Sequence, residues 1–154
     1  MRTAKDNSQA ARCFTQVIQI DERDGGAWGN LGCILLKQGN KDSALNAFSK
    51  GVQYSEGNWK MWENLMLVSL ERKQFTTFLR AVEALNKLGC HNRLTNEVLS
   101  KVNLVYEFTL QEFRKKHRMS AIYFKQITRI FKSLELKKSN NPNYWNIFSR
   151  FFQL

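Results

Sequence analysis

Trp28 and Trp62 each open a similar phrase. The first is Trp28-Gly29-Asn30-Leu31-Gly32 and the second is Trp62-Glu63-Asn64-Leu65-Met66. The first unit continues with Ala44-Leu45-Asn46-Ala47-Phe48, and the Trp28-to-Trp62 spacing projected backwards lands on Ala10 and Phe14. A recurrence of this length has room for two short helices and two turns. One such hairpin cannot bury its apolar faces alone, so neighbouring hairpins must stack into an array. The period therefore constrains the architecture more than any composition figure does.

The order Trp-x-x-Leu-Gly and then Ala-x-x-x-Phe, recurring at about 34 residues, is the mark of a tetratricopeptide repeat. The expected fold is all-α, a tetratricopeptide-type solenoid of helical hairpins wound into a right-handed superhelix. Solenoids of this kind hold peptide and protein segments on a concave face lined by the first helix of each hairpin.

Read along the chain, residues 1–24 are the second helix of a truncated repeat, from about Ser8 to Ile20, with Ala10, Phe14, Val17 and Ile20 as its apolar residues. Residues 25–58 are a tetratricopeptide repeat, its first helix from about Ala27 to Gln38, stopped by Gly39-Asn40. Gly32 is expected at a tight helix–helix contact, and Asp42 or Ser43 as the cap of the second helix. Residues 59–92 are a divergent repeat, with helices from about Trp59 to Glu71 and Phe75 to Leu88. There Met66 replaces Gly32 and Phe78 replaces Ala44, which is expected to widen or re-angle the pair. Residues 93–141 form an enlarged irregular helical repeat, and residues 142–154 the first helix of a truncated one, with Pro142 at its first turn and Trp145, Phe148 and Phe151 as its stripe. Beginning and ending mid-repeat, the sequence is expected to be a fragment of a longer protein.

The charge is divided unevenly. Residues 1–77 carry +2, and residues 78–154 carry +9 of the total of +11. A nucleic-acid or acidic-partner hypothesis therefore attaches to the C-terminal half. Its densest basic run is Arg114-Lys115-Lys116-His117-Arg118, with Phe108, Phe113, Tyr123 and Phe124 nearby. Those aromatics share a helical stripe with Leu110 and Ile127, so core packing explains them better than base stacking does. No run approaches a membrane span, and Met1–Asp6 lacks the apolar core of a signal peptide. A cytoplasmic, and also nuclear, setting is expected. Cys13, Cys33 and Cys90 are odd in number and lack metal-site spacing, so buried reduced thiols are expected.

No catalytic set stands out. Gly26, Gly29 and Gly32 have phosphate-loop spacing, but they run into a helix and no strand precedes them. His91 and His117 have no recognisable nucleophile or orienting partner. No cofactor and no metal site is expected, and the chain is not expected to be an enzyme. Some tetratricopeptide domains clamp a chaperone's C-terminal carboxylate with Lys, Asn and Arg. Here Asn30 fits the middle Asn position and Lys60 the third-repeat Lys, but Asn64 stands where the Arg is needed and the first-repeat part would precede Met1.

The phrase Trp59-Lys60-Met61-Trp62-Glu63-Asn64-Leu65, following Phe48-Ser49-Lys50-Gly51-Val52, resembles the Trp-x-x-Trp-Glu-Asn phrase of the tetratricopeptide repeat protein 27 family. The resemblance runs over roughly residues 9–150. It implies a large, helical, nucleocytoplasmic, non-enzymatic scaffold linked to chaperone-assisted assembly, and it carries over no catalytic residue. The expected function is therefore protein–protein interaction. The partner-binding groove would be lined by Asn30, Cys33 and Lys37 from one repeat and by Lys60, Asn64, Leu67 and Glu71 from the next. The alternative is a basic helical repeat protein contacting RNA, although no recurring polar code marks fixed repeat positions.

Overall fold

The computed structural model describes residues 2–90 together with 98, 100–102, 104, 105 and 129. Five helices are continuous within them: α1 (Arg2–Ile20), α2 (Gly25–Lys37), α3 (Lys41–Tyr54), α4 (Trp59–Glu71) and α5 (Phe75–Lys87). This is the expected all-α, tetratricopeptide-type hairpin fold. The chain divides into two units, Met1–Phe78 and Leu79–Leu154, with the boundary inside α5. Most of the enlarged repeat, the helix after Asn141, both histidines and the run Arg114–Arg118 lie outside the described residues.

The helix limits follow from capping chemistry that repeats with the sequence. The side chains of Asp24, Asn40 and Asn58 accept hydrogen bonds from the backbone N–H groups of Ala27 (2.8 Å), Ser43 (3.2 Å) and Met61 (3.4 Å). Each satisfies one of the orphan donors in a first helical turn. The cap of α3 is thus Asn40 rather than Asp42 or Ser43. Asp42 is used elsewhere, accepting from Arg72 Nε at 2.6 Å and Nη2 at 2.9 Å.

The helix ends repeat too. Gly39 (φ 78°), Lys73 (φ 55°) and Gly89 (φ 74°) all take the left-handed conformation just beyond a helix. In each case the following residue's N–H reaches back to a last-turn carbonyl: Asn40 to Leu35 at 2.9 Å, Gln74 to Ser69 at 2.7 Å, Cys90 to Leu85 at 3.0 Å. Lysine is strained in this conformation where glycine is not. Lys73→Gly should therefore raise stability by about 0.5–1 kcal/mol, the left-handed strain relieved less the added unfolded-state entropy. A thermal melt checks it, and the reciprocal Gly39→Lys should lower the midpoint.

The joint between repeats is closed by the tryptophans. Trp28 Nε1 donates to the Glu22 carbonyl at 2.8 Å, and Trp62 Nε1 donates to the Glu56 carbonyl at 2.7 Å. Each bond reaches back to the sixth residue before the indole, and Glu22 and Glu56 are separated by the same interval as the two tryptophans. The backbone beneath repeats as well, with Asp24 N–H to Asp21 (3.2 Å) matched by Asn58 N–H to Ser55 (3.1 Å). So each indole fills the hairpin and also ties down the turn that leads into it.

In the first unit α2 packs on α1 and α3, and α3 packs on α4. Phe48, Val52 and Leu65 are fully buried at its centre. Glycines let the backbones approach. A Cβ on Gly32 would stand 2.7 Å from the Phe48 ring, and one on Gly29 or on Gly51 would stand 2.7 Å from Met61 Sδ. Gly32 was expected at such a contact. Gly29 and Gly51 add a second one, a slot between α2 and α3 that receives the Met61 thioether from α4. Met66 and Phe78 are enclosed as well, at 2% and 1% exposure.

On α1 the inward residues are Ala10, Phe14 and Ile18, spaced by four. Val17 is 39% and Ile20 89% exposed, so these two leave the stripe expected for them. Two successive steps of three from Phe14, with no step of four between them, carry Val17 and then Ile20 progressively off the side held by Ala10, Phe14 and Ile18. In the second unit, Leu79, Val82 and Leu85 of α5 are fully buried, as is Val102, with Val98 and Val105 nearly so. The last three recur at i, i+4 and i+7, the apolar stripe of a helix.

Candidate functional site

The two first helices of the hairpins, α2 and α4, each leave one stripe uncovered. On α2, Gly25, Ala27, Gly29, Gly32 and Ile34 are buried. Gly26, Asn30 and Lys37 are exposed, and Cys33 is half-buried. On α4, Met61, Trp62, Leu65, Met66, Val68 and Ser69 are buried. Lys60, Leu67 and Glu71 are exposed, and Asn64 is half-buried. Steps of three and four hold each stripe to one side of its helix. The stripes correspond position by position across the repeat period, Asn30 with Asn64, Cys33 with Leu67, and Lys37 with Glu71.

One contact joins the stripes directly: Asn64 Nδ2 donates to Cys33 Sγ at 3.7 Å. A thiol is a weak acceptor, so this bond leaves the Asn64 amide oxygen and its second N–H for other partners. Leu67 is 47% exposed, a large apolar side chain in the middle of a polar stripe. Glu71 is held by Lys41, from the first turn of α3, at 2.7 Å. Lys60 lies with its ammonium 5.6 Å from the centre of the Trp59 ring. Lys37 stands in the last turn of α2, where a cation also suits the helix dipole. Cys33 and Asn64 are thus in contact, while the remaining five share only the two stripes. Gly26 is the stripe member not named from the sequence, although stepping back one period from Lys60 would have found it.

The thiols are less buried than their residue type suggested. Cys13 is exposed, and Cys33 and Cys90 are partly accessible. Among the described residues no group of His, Cys, Asp and Glu is arranged to hold a metal ion, and no helix is long and apolar enough to cross a membrane.

Residues 2–103 match the family described as the CABIN1 N-terminal domain. The chain belongs to that family. It is also similar to a TPR repeat-containing protein of Schizosaccharomyces pombe, with 24% identity over 146 residues, 93% of this chain and 18% of that protein. The cell division cycle protein 27 homolog of Caenorhabditis elegans is 29% identical over 89 residues, 58% of this chain and 11% of that protein. The chain thus spans less than a fifth of either relative. Among solved structures, the crystal structure of MamA superimposes with a TM-score of 0.56 at 17% identity, covering 99% of this chain and 90% of that one, which is a likeness of fold. The tetratricopeptide resemblance therefore stands. The chain is a helical repeat scaffold of the protein-interaction type, a class that is typically non-enzymatic.

Proposed function

We propose that this family member holds an extended segment of a protein partner along the paired stripes of α2 and α4. The observation that carries the reading is the run of uncovered side chains, recurring once per repeat, on helices whose other sides are packed. Asn30 and Asn64 offer amide donors and acceptors suited to a peptide backbone, and Leu67 offers an apolar contact for a side chain. Cys33, Lys37, Lys60 and Glu71 complete the lining. Chaperone-linked assembly is a narrower version of the same reading. It would gain support from binding that needs a free C-terminal carboxylate, even though Asn64 stands in place of a clamp arginine.

A photo-crosslinking residue at Leu67 should capture partner, whereas the same residue at the exposed Gln53 of α3 should not. Equal capture at both positions would overturn the reading. Neutralising Arg114, Lys115, Lys116 and Arg118 should leave capture at Leu67 intact. Salt-sensitive RNA binding by the parent chain that vanishes in that variant would favour the RNA reading instead.

A further inference from the structure

Between Gly25 and Arg72 the first unit carries five cations: Lys37, Lys41, Lys50, Lys60 and Arg72. Three of them are matched with carboxylates. Lys41 pairs with Glu71 at 2.7 Å, Lys50 with Glu22 at 3.4 Å, and Arg72 with Asp42 at 2.6 Å. The other two, Lys37 and Lys60, are the cations of the uncovered stripes, and among the described residues neither has a carboxylate partner. The one acidic side chain of the stripes, Glu71, is already neutralised by Lys41. The division is therefore spatial. The cations beside α3 are matched, and the two on the α2–α4 stripes have no carboxylate partner among the described residues.

We infer that the segment held on this face is acidic, with carboxylates meeting Lys37 and Lys60 and an apolar side chain between them on Leu67. The inference rests on the docking reading above and adds the chemistry of the occupant. α2 and α4 run the same way, since α3 reverses the chain between them. Lys60 lies in the first turn of α4 and Lys37 in the last turn of α2, so the two charges mark opposite ends of the face. Eleven residues of helix separate Lys60 from Glu71, the counterpart of Lys37. At about 1.5 Å per residue that is roughly 17 Å along the axis, and an extended peptide covers it in about five residues at ~3.3 Å each. An acidic residue at each end of a five- or six-residue stretch, with an apolar residue near its middle, fits this layout. The cations stand at the rim rather than in the buried centre, so they should govern attraction and salt dependence more than the final packing.

The test uses the full 154-residue chain and two fluorescein-labelled 12-residue peptides, one repeating Asp-Ser-Leu-Ser and one repeating Lys-Ser-Leu-Ser, which in extended form put the charged residues and the leucines on one side. The Asp/Leu peptide should bind at least tenfold tighter, and binding should weaken as salt rises. The double variant Lys37→Glu, Lys60→Glu should reverse the preference. Arg12→Glu, Lys50→Glu, a change of equal charge at exposed positions on α1 and α3, should preserve it. Circular dichroism melts of each variant show that it folds. Equal binding of the two peptides, or a preference untouched by the Lys37 and Lys60 reversals, would overturn the inference. If crosslinking at Leu67 still captures partner in that double variant with undiminished yield, the docking reading survives and the acidic occupant falls. If capture at Leu67 fails in the parent chain, the docking reading falls first.

Discussion

Phe48→Ala should lower the unfolding free energy by about 3–5 kcal/mol, the range for removing a fully enclosed aromatic side chain. Phe48 has no exposed surface, and its ring lies against the backbone of Gly32 on α2. Alanine would open a hole that the α2–α3 pair cannot close, because the glycine opposite has no side chain to move into it. Chemical denaturation of the 154-residue chain measures the loss. Trp28→Ala serves as the comparison. Trp28 is only half-buried, so its loss should be smaller than that of Phe48 even though tryptophan opens the repeated phrase. An unfolding midpoint unchanged by Phe48→Ala would contradict the packing of α3 on α2.

Gly32→Met is the converse experiment, filling instead of emptying. A Cβ alone would come within 2.7 Å of Phe48 Cε1 and 2.8 Å of Cδ1, closer than carbon atoms tolerate. The cost should reach about 3 kcal/mol or more, the upper range for overpacking, since the ring is enclosed and has nowhere to turn. Gly32→Met combined with Phe48→Val should recover a large part of what Gly32→Met loses, because the valine vacates the space that the ring holds against Gly32, a strongly non-additive pair. Met66→Leu, a swap of similar volume, should cost less than about 1.5 kcal/mol. Additive losses in the Gly32/Phe48 pair would show that the two positions do not share one space.

These contacts also show where the chain could be read directly and where it could not. The Trp28–Trp62 period and the stop at Gly39-Asn40 were enough to place α2, α4 and α5 within two residues, because tryptophan, glycine and the apolar steps act locally. The limits of α4 fell at Trp59 and Glu71 as read. The cap of α3 was misplaced because Asn40, Asp42 and Ser43 are all good caps, and only the pairing of Asp42 with the distant Arg72 separates them. Likewise the slot at Gly29 and Gly51 depends on Met61 arriving from the next hairpin, and no local pattern announces that. The first residues of α1, before Ser8, carry no apolar rhythm and so gave no sign of helix. The stripe of Asn30 and Asn64 was readable because it is what remains when the core positions of a repeat are removed. Glu71's engagement with Lys41 was not, since it reaches across to another helix.

The indole bonds at Glu22 and Glu56 have a consequence for how such a chain can change length. Each joint consists of a main-chain carbonyl, a short turn, a capping Asp or Asn, and a tryptophan at the sixth position on. The accepting group is backbone, so it is indifferent to the side chain at that position. Joining Asp24 directly to Trp59 would bring Trp62 to the sixth residue after Glu22, with Asp24 taking the place of Asn58 before the helix. The splice would therefore meet the same donor, acceptor and cap that were cut. A joint of this kind works as a standard coupling, through which whole repeats could be lost or duplicated during evolution without a new turn having to be invented.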